Sequence, residues 1–121
     1  MKKLVGVGSY HEWEVEELHK DREFAVEYLK AALESLDNPD ERGGGLIMLR
    51  AVAEAYGGLG VVAAQAGISR ESLYRALSPK GNPTLKTLVA VLKTLGLRLT
   101  VTEQKSARGK RPKAARASVA A

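Results

Sequence analysis

Residues 59–83, LGVVAAQAGISRESLYRALSPKGNP, constrain the fold of this chain more than any other stretch. Their order predicts two short helices, over 59–66 and 70–77, joined by a turn at Gly67-Ile68-Ser69. That arrangement is a helix-turn-helix. Ala63 falls where the two helices cross, and a larger side chain would push them apart. Gly67 stands where the first helix ends and the chain turns sharply, a place that favours positive φ. Ile68 plugs the corner, while Val62, Leu73 and Leu77 face the core. Ser69 caps the second helix, its hydroxyl accepting from the orphan amides of the first turn.

These restraints leave Arg70, Glu71, Ser72, Tyr74 and Arg75 on the outward face of the second helix. Such a helix fits the major groove of B-DNA and reads base edges from its N-terminal part. Guanidinium groups suit guanine edges or phosphates, and Glu71 can accept from a cytosine amine. The implied partner is double-stranded DNA. A charged helical hairpin with no ligand would also satisfy the bare A-x-x-x-G-[IV]-S pattern. The continuation, a loop over 78–83 leading to a second capped helix and a short apolar strand, favours DNA binding.

At 121 residues the chain holds one domain and a tail. Its aromatic content of 5% points to a small, mostly aliphatic helical core. The absence of cysteine removes disulfides, thiolate zinc sites and thiol catalysis, and is compatible with a reducing cytoplasm. No apolar run approaches the ~20 residues needed to cross a bilayer. The N-terminal run in MKKLVGVGS is too brief for a signal peptide. The expected setting is cytoplasmic, with no membrane partner.

Net charge, +5 in total, divides unevenly. Residues 1–10 carry +2, residues 11–42 carry −7, residues 43–103 carry +4 and residues 104–121 carry +6. An acidic front half before a basic half suggests two partner surfaces of opposite sign, although acids also simply solvate helix faces.

Read in order, residues 10–18 make a short helix with Trp13 and Leu18 as anchors. Asp21 caps a longer helix over 22–36, whose Ala25, Tyr28, Leu29, Ala32, Leu33 and Leu36 form one apolar stripe. Asn38-Pro39-Asp40-Glu41 reads as the next helix start. Gly43-Gly44-Gly45 conflicts with it, since each glycine costs about 1 kcal/mol relative to alanine in a helix. The start frays, or the firm helix begins near Leu46, from where Leu46, Leu49, Val52, Ala53 and Tyr56 form a stripe. Thr84 caps a helix lined by Leu85, Leu88, Val91, Leu92 and Leu95, which Gly96 ends. Residues 97–102 alternate between apolar and polar, as in a half-buried strand. A lone strand has an unpaired edge. Its partner would be a second copy of the chain, another protein, or an N-terminal strand over 4–7. The first choice makes a homodimer, which suits paired DNA half-sites. Residues 104–121 have no apolar periodicity and read as a disordered basic tail, either a phosphate-contacting arm or a solubilising one. The domain plan is therefore an N-terminal segment over 1–9, a helical domain over 10–103 and the tail.

No catalytic constellation stands out. His11 and His19 are the only histidines and fit no H-E-x-x-H arrangement, so no metal site is expected. Ser69, Ser72 and Ser78 have no nearby base. Neither Gly6-x-Gly8 nor Gly57-Gly58-x-Gly60 has the strand–glycine–helix order and lysine of a phosphate loop. The chain reads as a non-enzyme with no cofactor and no small-molecule substrate.

Further blocks carry a resemblance. They are Tyr-His-Glu-Trp at 10–13, Ala25-x-x-Tyr28-Leu29-x-x-Ala32-Leu33 and Leu49-Arg50-x-Val52-Ala53-x-Ala55. The most specific is Ser69-Arg70-Glu71-Ser72-Leu73-Tyr74-Arg75-x-Leu77-Ser78, followed by Gly81-Asn82-Pro83, Thr87-Leu88 and Leu95-Gly96-Leu97-x-Leu99. Over residues 10–101 the chain resembles the addiction-module antidote proteins, small helix-turn-helix regulators related to the lambda-repressor-like group. The triple glycine departs from that pattern, and the tail lies outside it.

The resemblance implies a mainly α fold: a small lambda-repressor-like helical bundle with an N-terminal helical extension and a short C-terminal β-strand. It implies the antitoxin of a type II module, which binds a small basic RelE/ParE-like toxin and represses their shared promoter. Carried over by position, the DNA-reading face is Ser69, Arg70, Glu71, Ser72, Tyr74 and Arg75, with Lys80 and Asn82 in the loop where phosphates would pass. Toxin contacts are not a motif that maps by position. Charge complementarity directs them to the acidic half, at Trp13, Glu14, Glu17 and Leu18. A free-standing repressor with no toxin would have the same DNA chemistry, but little need of a segment at −7.

Overall fold

Short polar side chains set the helix starts. Asp21 accepts from the Phe24 amide at 3.0 Å, Ser69 from the Ser72 amide at 3.0 Å and Thr84 from the Thr87 amide at 3.1 Å. Each satisfies a donor that the first turn of a helix leaves without a partner. In the computed structural model, which describes residues 7–103, the helices are α1 (Val7–Lys20), α2 (Arg22–Glu34), α3 (Arg42–Ala55), α4 (Gly58–Ala66), α5 (Arg70–Ala76) and α6 (Leu85–Thr94), with a 3-10 turn at Ser35–Asp37. The mainly α reading fits. The segments 1–6 and 104–121, including most of the N-terminal strand option and the whole tail, lie outside the described residues.

α3 is the centre. It packs against α1, α2, α4, α6 and the 3-10 turn, while α4 also packs against α5 and α6. Leu46, Leu49, Val52 and Ala53 of its stripe are fully buried, together with Leu18 from α1, Leu29 from α2, Val62 from α4, Leu73 from α5 and Val91 from α6. Between α3 and α4 the chain bends by 105°. Gly57 and Gly58 make that corner at φ 99° and 88°, where a β-carbon would be strained. The bend lets α4 turn back against α3 while it carries α5 and α6.

The turn 67–69 follows the sequence expectation in detail. Gly67 has φ 75° and closes α4, and the Ile68 amide donates to the Ala63 carbonyl at 3.0 Å. Ala63 is 2% exposed, which leaves no room for a larger residue.

Four expectations are corrected. Residues 97–102 do not form a β-strand. Among the described residues there is no strand for them to pair with, and Val7 is already helical. The Leu97 amide instead closes α6 by donating to Leu92, Leu97 packs on the core, and Val101 is 94% exposed. Beyond Leu97 the alternation has no buried face behind it, Leu99 being 43% exposed. Leu85, read as lining the core, is 65% exposed at the first position of α6. The start of α3 does not fray at its glycines; the helix runs from Arg42. Nor is Asn38 its cap. Asn38 closes a preceding turn by accepting from the Asp40 and Arg42 amides, and Glu41 stands at the cap position.

Candidate nucleic-acid interface

A seven-residue helix can show only one face outward when its other face is core. Leu73 of α5 and the following Leu77 are fully buried, which fixes the roll of the helix. Arg70, Glu71, Tyr74 and Arg75 are therefore exposed, with Tyr74 at 49%. Ser69 and Ser72 engage each other, the Ser69 hydroxyl lying 3.0 Å from both the Ser72 amide and its hydroxyl. Their first duty is to hold the start of α5. At the other end, the Ser78 hydroxyl donates to the Tyr74 carbonyl at 2.8 Å.

The structure brings in residues that the sequence reading missed. The Arg50 guanidinium, from α3, lies over the Tyr74 ring at 4.3 Å from its centroid. Its buried Nε has no hydrogen-bond partner among the described residues. A cation over an aromatic face is attractive, and more so when partly desolvated. Arg50 thus steadies the one ring of α5. Glu54 and Leu59 join Arg70, Glu71, Tyr74 and Arg75 around an open cavity of about 370 Å³. An arginine on the flank of an apolar helical stripe was the available signal for Arg50; nothing in the sequence placed that flank against α5.

The two loop residues separate. Lys80 is exposed. Asn82 is exposed as well but tethered: its side-chain oxygen accepts from Arg42 Nη2 at 3.2 Å, and the same nitrogen donates to the Gly81 carbonyl at 3.2 Å. Arg42 also donates to the Leu36 carbonyl, so one guanidinium ties the loop to the start of α3. Lys86 of α6 adds a cation near the turn, its ammonium 3.2 Å from where a Gly67 β-carbon would sit.

The four acidic-half residues do not form one surface. Trp13 is 48% exposed, and Glu17 pairs with Lys20 at 3.1 Å. Leu18 is fully buried, so its assignment as a contact residue is corrected: it is core. Glu14 turns inward, accepting from the Tyr28 hydroxyl, with His11 Nδ1 at 3.6 Å. Burial pushes its carboxyl above the usual range, and His11 offsets part of that rise. His11 also bonds Glu54 at 2.6 Å through Nε2, and His19 bonds the Ala55 carbonyl at 2.9 Å. Together they bolt α1 to α3. Both histidines therefore have structural partners, and no group of three or more His, Cys, Asp or Glu among the described residues is arranged to hold a metal ion.

A family model described as "Probable addiction module antidote protein" matches residues 9–103. An uncharacterized protein of Haemophilus influenzae is 50% identical over 46 residues, 38% of this chain and 47% of that protein. The match thus spans about half the length of that relative. No solved structure matches the chain.

Proposed function

The chain belongs to the family of probable addiction module antidote proteins, and on that premise we propose that it is the DNA-binding antitoxin of a type II module. In this reading it neutralises a RelE/ParE-like toxin by direct binding and represses their shared promoter in the cytoplasm. The observation that carries the DNA half is the roll of α5. Leu73 is buried behind it, while Arg70, Glu71, Tyr74 and Arg75 stand outward beside Lys80.

Arg70 and Arg75 supply forked donors for guanine edges or phosphates, and Glu71 an acceptor for a cytosine amine. Ser69 and Ser72 present hydroxyls at the helix start, and Tyr74 offers a ring held by Arg50. Asn82 acts through the Arg42-held loop. The domain plan keeps 10–103 as the binding unit. Binding as a homodimer would set two copies of α5 about 34 Å apart, one turn of DNA.

Arg75→Ala is expected to weaken specific operator binding by about 1–3 kcal/mol if its guanidinium reads a base. Gel-shift titrations on operator and on random DNA check this; an equal loss on both would make Arg75 a phosphate contact. The whole reading is tested by growth. The small reading frame beside this gene is induced with and without this chain, and a tagged copy is used to recover any complex. Relief of growth arrest with co-elution supports the antitoxin. Operator binding without arrest or co-elution would leave a free-standing repressor.

A further inference from the structure

We infer that the outer face of α1 and α2 is the docking surface for the protein toxin, and that it receives a cationic, arginine-bearing patch of that partner. This rests on the antitoxin reading and adds the surface, its chemistry and its contact residues.

The chain has one tryptophan, four tyrosines and one phenylalanine, and four of these six rings stand on α1 and α2. Tyr10 and Trp13 pair with ring centroids 5.8 Å apart, and Phe24 and Tyr28 with centroids 5.5 Å apart. The Tyr28 hydroxyl donates to Glu14, which is next to Trp13 and one helical turn from Tyr10. The two pairs thus stand on neighbouring helices that pack against each other and are joined by this bond. Tyr10 is 58% exposed, Trp13 48% and Phe24 44%. The aliphatic core is complete without them, so these rings are presented to water. Clustered exposed rings of this kind mark interaction sites rather than packing.

Charge selects the occupant. Residues 11–42 carry −7, and the exposed carboxylates of Glu12, Glu16 and Glu23 have no ion pair among the described residues. Nucleic acid and anionic lipid are repelled from such a face. A second copy would set −7 against −7. A guanidinium, by contrast, can stack on a ring while its edge pairs with a carboxylate. Glu12 and Glu16 line the flank of α1 that borders α3, whereas Glu23 adjoins the exposed Phe24. Exposed rings on an acidic segment are the complement of an arginine-bearing surface. The face also differs from the one α5 presents, so toxin and DNA need not compete for the same residues.

Trp13 is the chain's one tryptophan, which makes it a built-in reporter. The full chain is titrated with the purified toxin encoded beside it, following tryptophan emission on a tryptophan-free toxin variant. The expected result is a blue shift on binding. Phe24→Ser and Tyr10→Ser should each weaken binding at least about tenfold with unchanged thermal melting. Glu23→Lys should slow association and flatten its salt dependence. Binding with no change at Trp13 and full affinity in Phe24→Ser and Tyr10→Ser would overturn this inference alone. Failure of the unaltered chain to bind the toxin would overturn it together with the antitoxin reading. A blue shift that rises with chain concentration in the absence of toxin would assign the face to a second copy and overturn it.

Discussion

Leu18→Ala is expected to lower the unfolding free energy by about 2–5 kcal/mol, the usual cost of removing a fully buried leucine. Leu18 has no exposed surface and is among the largest fully buried side chains of the core. The Tyr56 hydroxyl donates to its carbonyl at 2.6 Å, so the same residue is held through its backbone from the end of α3. Burial raises the Tyr56 pKa further above neutrality, where a phenol is already a donor. Truncating Leu18 leaves a cavity at the α1–α3 contact, which the surrounding helices can fill only partly. The effect on a toxin partner should follow the effect on folding: affinity per folded molecule is unchanged at low temperature, and the denaturant midpoint drops. Trp13→Ala should give the opposite pattern, with little change in midpoint and a weaker complex. If Leu18→Ala instead kept its midpoint and lost the partner, Leu18 would return to the contact surface.

That contrast shows how much of the molecule was legible in the sequence. Trp13 and Leu18 were read together as anchors of one helix. Five residues advance an α-helix by about 140° beyond a full turn, so the two side chains cannot share a face. The periodicity of YHEWEVEEL admits two phases, and only packing against α3 chooses between them. Where a stripe was long and capped, as in α2 and α6, its start and most of its buried side followed from spacing and a single polar residue. The turn 67–69 was legible because left-handed backbone, a small crossing residue and a hydroxyl cap each demand particular residue types. Over 97–102 alternation reports only an opportunity for a strand; a strand needs a neighbouring backbone, and sequence pattern does not supply one. Arg50 and Arg42 act across 24 and 40 positions, on Tyr74 and Asn82, and no local rule reaches that far.

The glycines offer the second large effect, and its sign changes from one position to the next. Propensity alone makes alanine better by about 1 kcal/mol at each of positions 43–45. Space decides otherwise. A β-carbon on Gly45 would lie 2.1 Å from the Ser35 hydroxyl oxygen and 2.8 Å from the Ala32 carbonyl oxygen. The start of α3 is pressed against the end of α2, so Gly45→Ala must push the two apart. Gly44 has nothing within 4 Å. Gly44→Ala should therefore raise stability by up to about 1 kcal/mol. Gly45→Ala should lower it by about 1–3 kcal/mol, the cost of overpacking outweighing the helical gain. Gly81→Ala should be the most damaging of the three. Its β-carbon would fall 2.1 Å from the Ala76 carbonyl oxygen and 2.5 Å from that of Arg75, both backbone atoms at the end of α5. The loop can relieve this only by moving outward, which breaks the Arg42 bonds to the Gly81 carbonyl and to Asn82. Operator affinity should then fall along with the melting temperature, whereas Gly45→Ala should change melting and leave DNA affinity per folded molecule intact. Thermal melts and gel-shift titrations on the three variants check the pattern. A rise in melting temperature for Gly45→Ala would mean that α3 does not approach α2 as closely as its glycines permit, and the triple glycine would need another cause.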